Sequence, residues 1–133
     1  MRSFSLLCIL MLLTGSARAE RDDTCGNYEK TLNRIESVRL EDGVSQEEAG
    51  ILAENYFAFF VSGCGGASLP ADRGASWAFQ ARQGLGGLVI GEVLVDKMNG
   101  TVSFKGHPTV LDPVNVLATK QRELMKQFGC DTK

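Results

Sequence analysis

The residues that could do chemistry in this chain are few. One histidine, His107, serves all 133 residues, and it stands in Gly106-His107-Pro108 with no partner at a fixed spacing. A cysteine nucleophile needs a neighbouring base, and none is indicated beside Cys8, Cys25, Cys64 or Cys130, so His107 reads as a loop or surface residue. The cysteine spacings match no zinc pattern. Gly84-Leu85-Gly86-Gly87 has the glycine density of a phosphate loop, but it precedes a strand instead of opening a helix, and no Lys-Ser/Thr follows. It is expected to be a hairpin turn. Asp22/Asp23 and Asp42/Glu47/Glu48 sit near helix starts, where the helix dipole accounts for them. Asn99-Gly100-Thr101 has the form of a glycosylation sequon, although turn geometry explains the same residues. No catalytic residue, metal ligand or cofactor is assigned, and the lone histidine favours binding over catalysis.

The elements that would hold a binding surface come from the rest of the chain. Residues 1–19 read as a secretory signal peptide: Arg2 is followed by the apolar run Phe4 to Leu13, then Thr14-Gly15-Ser16, then the cleavage pattern Ala17-Arg18-Ala19. Ten apolar residues are too few to span a hydrocarbon layer about 30 Å thick, and Cys8 lies inside the run rather than after it, where a lipidated cysteine would stand. Stable membrane insertion is not expected. Cleavage would leave residues 20–133 as a single domain, without two arginines, so its 12 basic and 16 acidic side chains give a net charge of −4. That balance argues against nucleic acid as a partner.

A helix is expected over residues 27–39, with Asn27 as its cap. A second, over 45–62, opens on the capping box Ser45-Gln46-Glu47-Glu48 and carries Ala49, Leu52, Ala53, Tyr56, Phe57, Phe59 and Phe60 on one broad apolar face. Gly63 is placed to end it. The Gly/Ser/Pro/Asp-rich stretch 63–74 reads as a loop. Strands follow at 76–83, with Trp77, Phe79 and Ala81 on one face, and at 87–96, a run apolar enough to suggest cover on both sides, with Gly91 marking a bulge or a bend. Lys97-Met98-Asn99-Gly100 makes a hairpin loop to a partner strand over 101–105. Asp112 then caps, Pro113 opens and Gly129 closes a last helix. The predicted fold is α+β, with N-terminal helices and a C-terminal helix packed on a curved antiparallel sheet.

Export to an oxidising compartment would leave Cys25, Cys64 and Cys130, of which two are expected to pair. If the first two helices form an antiparallel hairpin, Cys25 and Cys64 lie side by side, and their bridge would close a loop of about 40 residues worth roughly 3–4 kcal/mol. Cys64–Cys130 is the rival pairing.

Between residues 45 and 113 the order of features resembles that of small bacterial immunity proteins with an NTF2-like fold. The features are the Ser45-x-x-Glu48 helix with its aromatics, Trp77-Ala78-Phe79, Gly84-x-Gly86-Gly87, an apolar strand, and Val95-Asp96-Lys97-x-Asn99-Gly100-x-Val102. The same order is similar to PepSY-type secreted domains, linked with inhibition of peptidases. The resemblance implies an NTF2- or cystatin-like sheet and a non-catalytic protein that neutralises a toxin or hydrolase. The leader and the cysteines, unusual for cytoplasmic immunity proteins, place that partner outside the cytoplasm, in the periplasm or beyond. An acidic domain would steer toward a basic effector. Candidate interface residues are Arg73, Trp77, Arg82, Glu92, Lys97 and His107, since Trp and Arg dominate interface energetics, with Trp77 equally suited to the core. The alternative is an NTF2-like pocket for a small apolar ligand, with Asp96 or Tyr56 as its polar group.

Overall fold

Ser45 begins the element around which the others are arranged. In the computed structural model, which describes residues 17–130, its hydroxyl accepts from the Glu48 N–H at 3.1 Å, and the Glu48 carboxylate accepts from the Ser45 N–H at 3.1 Å and the Arg39 N–H at 2.7 Å. These bonds hold the Glu48 carboxyl below its ordinary value of 4.5, with the Arg39 N–H the largest cause. The helix that follows is Gln46–Tyr56, here α2 with the earlier helix as α1. Ala49, Leu52, Ala53 and Tyr56 form its buried stripe, and Gly50 lies against the Phe79 ring.

Beyond Tyr56 the helix widens into a π-helical turn, Phe57–Val61, closed by the Ser62 N–H on the Phe57 carbonyl at 3.0 Å. The chain therefore leaves through extended Ser62 rather than through a left-handed Gly63, as the sequence suggested. The Ser62 hydroxyl then takes over, accepting from the Cys64 N–H and donating to its carbonyl.

Four antiparallel strands follow in the order β1-β2-β3-β4: Gly65–Asp72, Ser76–Gln83, Leu88–Asp96 and Val102–Ser103. The sheet is open. β1 occupies the stretch expected to be a loop, because strand pairing with β2 is made by the backbone, from Gly65 opposite Gln83 to Asp72 opposite Trp77. At an edge, small residues and Pro70 can be accommodated. The register slips between Ser68 and Pro70, leaving Leu69 as an extra residue at φ 56°. β2 has the expected bounds. In β3, Ala81 pairs with Gly91 and Arg82 with Val89, so Ile90 is bulged out beside Gly91. A side chain at Gly91 (φ 144°) would press on the Phe104 ring. The hairpin loop is tied by the Asp96 carboxylate, which accepts from the Met98 and Asn99 N–H groups. β4 is shorter than the expected 101–105, since the chain bends after Phe104 and returns to bridge Val102 with Val110.

The flanking helices are α1, Ala17–Glu36, and α3, Pro113–Gln127. α1 begins ten residues before the expected start, so Asn27 lies within it and caps nothing. Pro113 is at the first turn of α3 and Gly129 (φ 81°) follows its end, as expected, but the Asp112 side chain makes no capping bond. Of the expected leader, only residues 17–19 fall among the described residues.

α1 packs chiefly on α3 rather than on α2, and this decides the disulfide. Cys25 is bonded to Cys130, with their Cα atoms 5.5 Å apart and a separation of 105 positions in sequence. The expected Cys25–Cys64 bridge presumed that α1 started beside the end of α2. With α1 extended toward its own N-terminus, Cys25 meets the chain end behind α3 instead. None of the described cysteines is a free thiol. Around the bridge, Arg21 donates to the Gly129 carbonyl at 3.2 Å, Tyr28 meets Phe128 edge-on, and buried Gln121 donates to the Tyr28 carbonyl at 3.1 Å.

Two measurements check this account. Replacing Cys25 and Cys130 together by serine should lower the unfolding free energy by about 4 kcal/mol in denaturant titration, since the bridge closes a loop of about a hundred residues. Ser45→Ala should cost about 1 kcal/mol through the lost cap.

Candidate functional site: the uncovered face of the sheet

Alternation along β2 and β3 sorts their side chains onto two faces. Phe79, Ala81, Val93 and Val95 point under α2 and are buried. The opposite face carries Ala71 of β1, Ala78, Gln80 and Arg82 of β2, and Val89, Glu92 and Leu94 of β3, in the cross-strand pairs Ala78–Leu94, Gln80–Glu92 and Arg82–Val89. No described helix covers it. The expectation that β3 is covered on both sides is thus overturned: Val89 is 46% and Leu94 37% exposed. Glu92, a charge in the middle of an apolar run, was the sequence signal that one side meets water.

Ala78 is nonetheless buried on this face. Arg73, in the β1–β2 turn, sends its side chain back over the alanines to bond Glu92 at 2.6 Å, and the stem of an arginine is apolar enough to shield small residues beneath it. The glutamate raises the Arg73 pKa further above its usual range. Between these residues lies a cleft of about 310 Å³, bounded by Leu69, Ala71, Ala78, Val89, Gln80 and Glu92. Leu69 is 63% exposed. A non-glycine residue in left-handed backbone costs roughly 1–2 kcal/mol, so this position is disfavoured twice, by its backbone and by its exposed apolar side chain. Folding gains nothing visible from either.

Arg82 completes the face. Its Nε donates to the Gln80 side chain at 2.9 Å and its Nη1 to the Gly87 carbonyl at 3.0 Å. The guanidinium is thereby tied to Gln80, which lines the cleft, with further donors available, and no ion pair to it occurs among the described residues.

The six interface candidates divide into three places. Arg73, Glu92 and Arg82 lie on this face. Trp77 and Lys97 belong to a corner below it, where Lys97 stands 4.4 Å over the Trp77 ring and bonds Asp72 at 2.5 Å, while the indole N–H donates to the Val44 carbonyl at 3.0 Å. Trp77 is half-buried and knits the α1–α2 loop to the sheet, which is a packing role. His107 stacks on Phe104 with ring centroids 5.0 Å apart. Leu69, Val89 and Leu94 were missed in the sequence, the first because it sat in an expected loop and the others because they sat in an expected core strand.

The pocket alternative finds its polar groups already engaged. The buried Tyr56 hydroxyl, its pKa raised by burial, donates to the Pro108 carbonyl at 2.7 Å, and Asp96 holds the β3–β4 turn. A cleft of about 530 Å³ beside Lys97 is lined by both signs of charge, Arg39 and Lys97 against Asp42 and Glu48, and favours neither. Among the described residues no group of three or more His, Cys, Asp or Glu side chains could hold a metal, and no helix is long and apolar enough to cross a membrane. No family model, curated protein or solved structure matches the chain.

The corner gives a direct test. Lys97, followed by the Gly74 N–H, holds the Asp72 carboxyl below its ordinary value of 3.8. The pair therefore persists above that value and is lost as pH falls through the depressed one. Lys97→Met should raise the Asp72 pKa toward the ordinary value in an NMR titration, and should alter the fluorescence of Trp77, the chain's one tryptophan.

Proposed function

We propose that this protein is an exported, non-catalytic binding protein that neutralises a toxin or hydrolase acting outside the cytoplasm, as an immunity or inhibitor protein does, and that it works through the uncovered face of its sheet. The observation that carries this reading is the combination on that face of exposed Leu69, Val89 and Leu94 with a fixed guanidinium and an exposed ion pair. Apolar residues ringed by polar groups are the usual composition of a protein-binding patch. The class of partner comes from the resemblance of residues 45–113 to NTF2-like immunity proteins and from the expected leader at residues 1–19. The Cys25–Cys130 bridge fits an oxidising compartment, where such bonds persist.

A rigid sheet suits this task. Side chains that already stand in fixed rows lose little conformational freedom on docking, so less of the contact energy is spent on ordering. The hairpin and the bulges at Leu69 and Gly91 set where those rows end.

The test is capture of secreted proteins on the immobilised mature chain, repeated at several salt concentrations, followed by assay of the captured protein's activity. One secreted protein should be retained and its activity suppressed at stoichiometric amounts. Leu69→Asp with Val89→Asp should reduce capture at least tenfold while leaving circular dichroism unchanged. Retention of that protein with its activity intact, or equal capture by the doubly substituted chain, would reject the reading.

A further inference from the structure

The uncovered face has one strained residue, one small cleft that Leu69 lines, and one cation, Arg82, held without a carboxylate and joined to the cleft through Gln80 and through its own cross-strand neighbour Val89. We propose that this face recognises an extended segment of its partner in which an aliphatic or aromatic side chain stands next to an acidic residue, the apolar group seated against Leu69 and Val89 and the carboxylate on Arg82. The proposal rests on the binding-protein reading above and names the chemistry of the segment that is bound.

The size of the cleft limits the apolar group. At about 310 Å³ it is at the small end of ligand sites. Small Ala71, Ala78 and Gly91 line it together with Leu69 and Val89, so it suits one large side chain better than an extended small molecule. Leu69 is the only non-glycine residue among those described with positive φ. Its conformation is the one that projects this leucine from the β1 bulge. Strain of this kind persists where a position serves binding rather than folding.

Charge selects the neighbouring group. Arg73 is paired with Glu92, Arg122 with Glu36 and Lys97 with Asp72. Arg82, by contrast, bonds only neutral oxygens, those of Gln80 and Gly87. These two bonds orient the planar fork, and a carboxylate is the group that matches the remaining donors in bidentate fashion.

The same features argue against a second copy of this chain as the occupant. Strand addition at the β1 edge is obstructed by the bulge and by Pro70. Face-to-face docking would bring Arg73 and Arg82 of both copies together, with each Glu92 already bonded to its own Arg73. The net charge of −4 expected for the mature chain belongs to its whole surface and acts at long range, whereas this contact is local.

The experiment is selection of a phage-displayed library of random 12-residue peptides on the purified protein, followed by affinity measurement with one synthetic peptide from the enriched set. The enriched sequences should carry Asp or Glu within two positions of an aliphatic or aromatic residue. Arg82→Gln should weaken binding of the synthetic peptide at least tenfold, and Arg82→Lys should restore it only in part. Leu69→Gly is the decisive variant, because it relieves the backbone strain while removing the side chain. It should raise the melting temperature and still weaken binding at least tenfold, which a purely structural role would not do. Failure to enrich any peptide, enrichment of sequences lacking acidic residues, or unchanged affinity in the Arg82→Gln and Leu69→Gly variants would each overturn the proposal. So would a concentration-dependent dimer that Leu69→Gly dissociates, since the face would then serve a second copy. If a secreted protein is captured equally by wild type and by both variants, the binding-protein reading survives and only this assignment fails.

Discussion

Everything described in this molecule follows from α2 being pressed against one face of a sheet that has no second helical layer among the described residues. Ala49 and Ala53 let the helix approach closely, a side chain at Gly50 would meet the Phe79 ring, and Leu52 and Tyr56 share one buried core with Val93 and Val95. That arrangement buries the inner face and leaves the outer one to be reconciled with water by other means. Small side chains at Ala71 and Ala78, polar ones at Gln80 and Arg82, and an arginine laid across to Glu92 accomplish most of it. Leu69, Val89 and Leu94 remain exposed, and no described segment covers them. An apolar patch of this kind on a sheet otherwise well adapted to water is what gives the binding reading its physical basis.

The two other helices solve a different problem. α1 makes little contact with the sheet and only two of its residues, Leu32 and Ile35, enter the core. Its first half is fixed to α3 by the Cys25–Cys130 bond and the contacts of Arg21 and Tyr28 around it. A covalent tie between segments 105 positions apart substitutes for the apolar contacts that this stretch, rich in Arg, Asp and Glu, cannot supply. The Cys25–Cys130 bond thus belongs to the helical layer.

Several local signals were legible where a residue acts on its own neighbours, although Asn27, Gly63 and Asp112 did not take the capping roles their types suggested. The Ser45–Glu48 box, the Asn99-Gly100 hairpin, the Gly91 bulge, Pro113 and Gly129 all impose their geometry through bonds within a few positions. The site was legible in part. Arg73, Arg82 and Glu92 could be named as exposed polar groups, but they could not be placed on one face with Leu69 while residues 63–74 read as a loop. A strand that gains its order from its neighbour's backbone leaves little trace in its own side chains.

The sequence by itself therefore determined the α+β class, the bounds of β2 and the starts of α2 and α3, because propensity, capping and turn chemistry are short-range. Tertiary structure alone decided three things: that α1 lies on α3, that Cys25 finds Cys130, and that one side of the sheet has no described helix over it. Each depends on which faces of distant elements meet. Periodicity states that a face is apolar, but it does not say what will cover it.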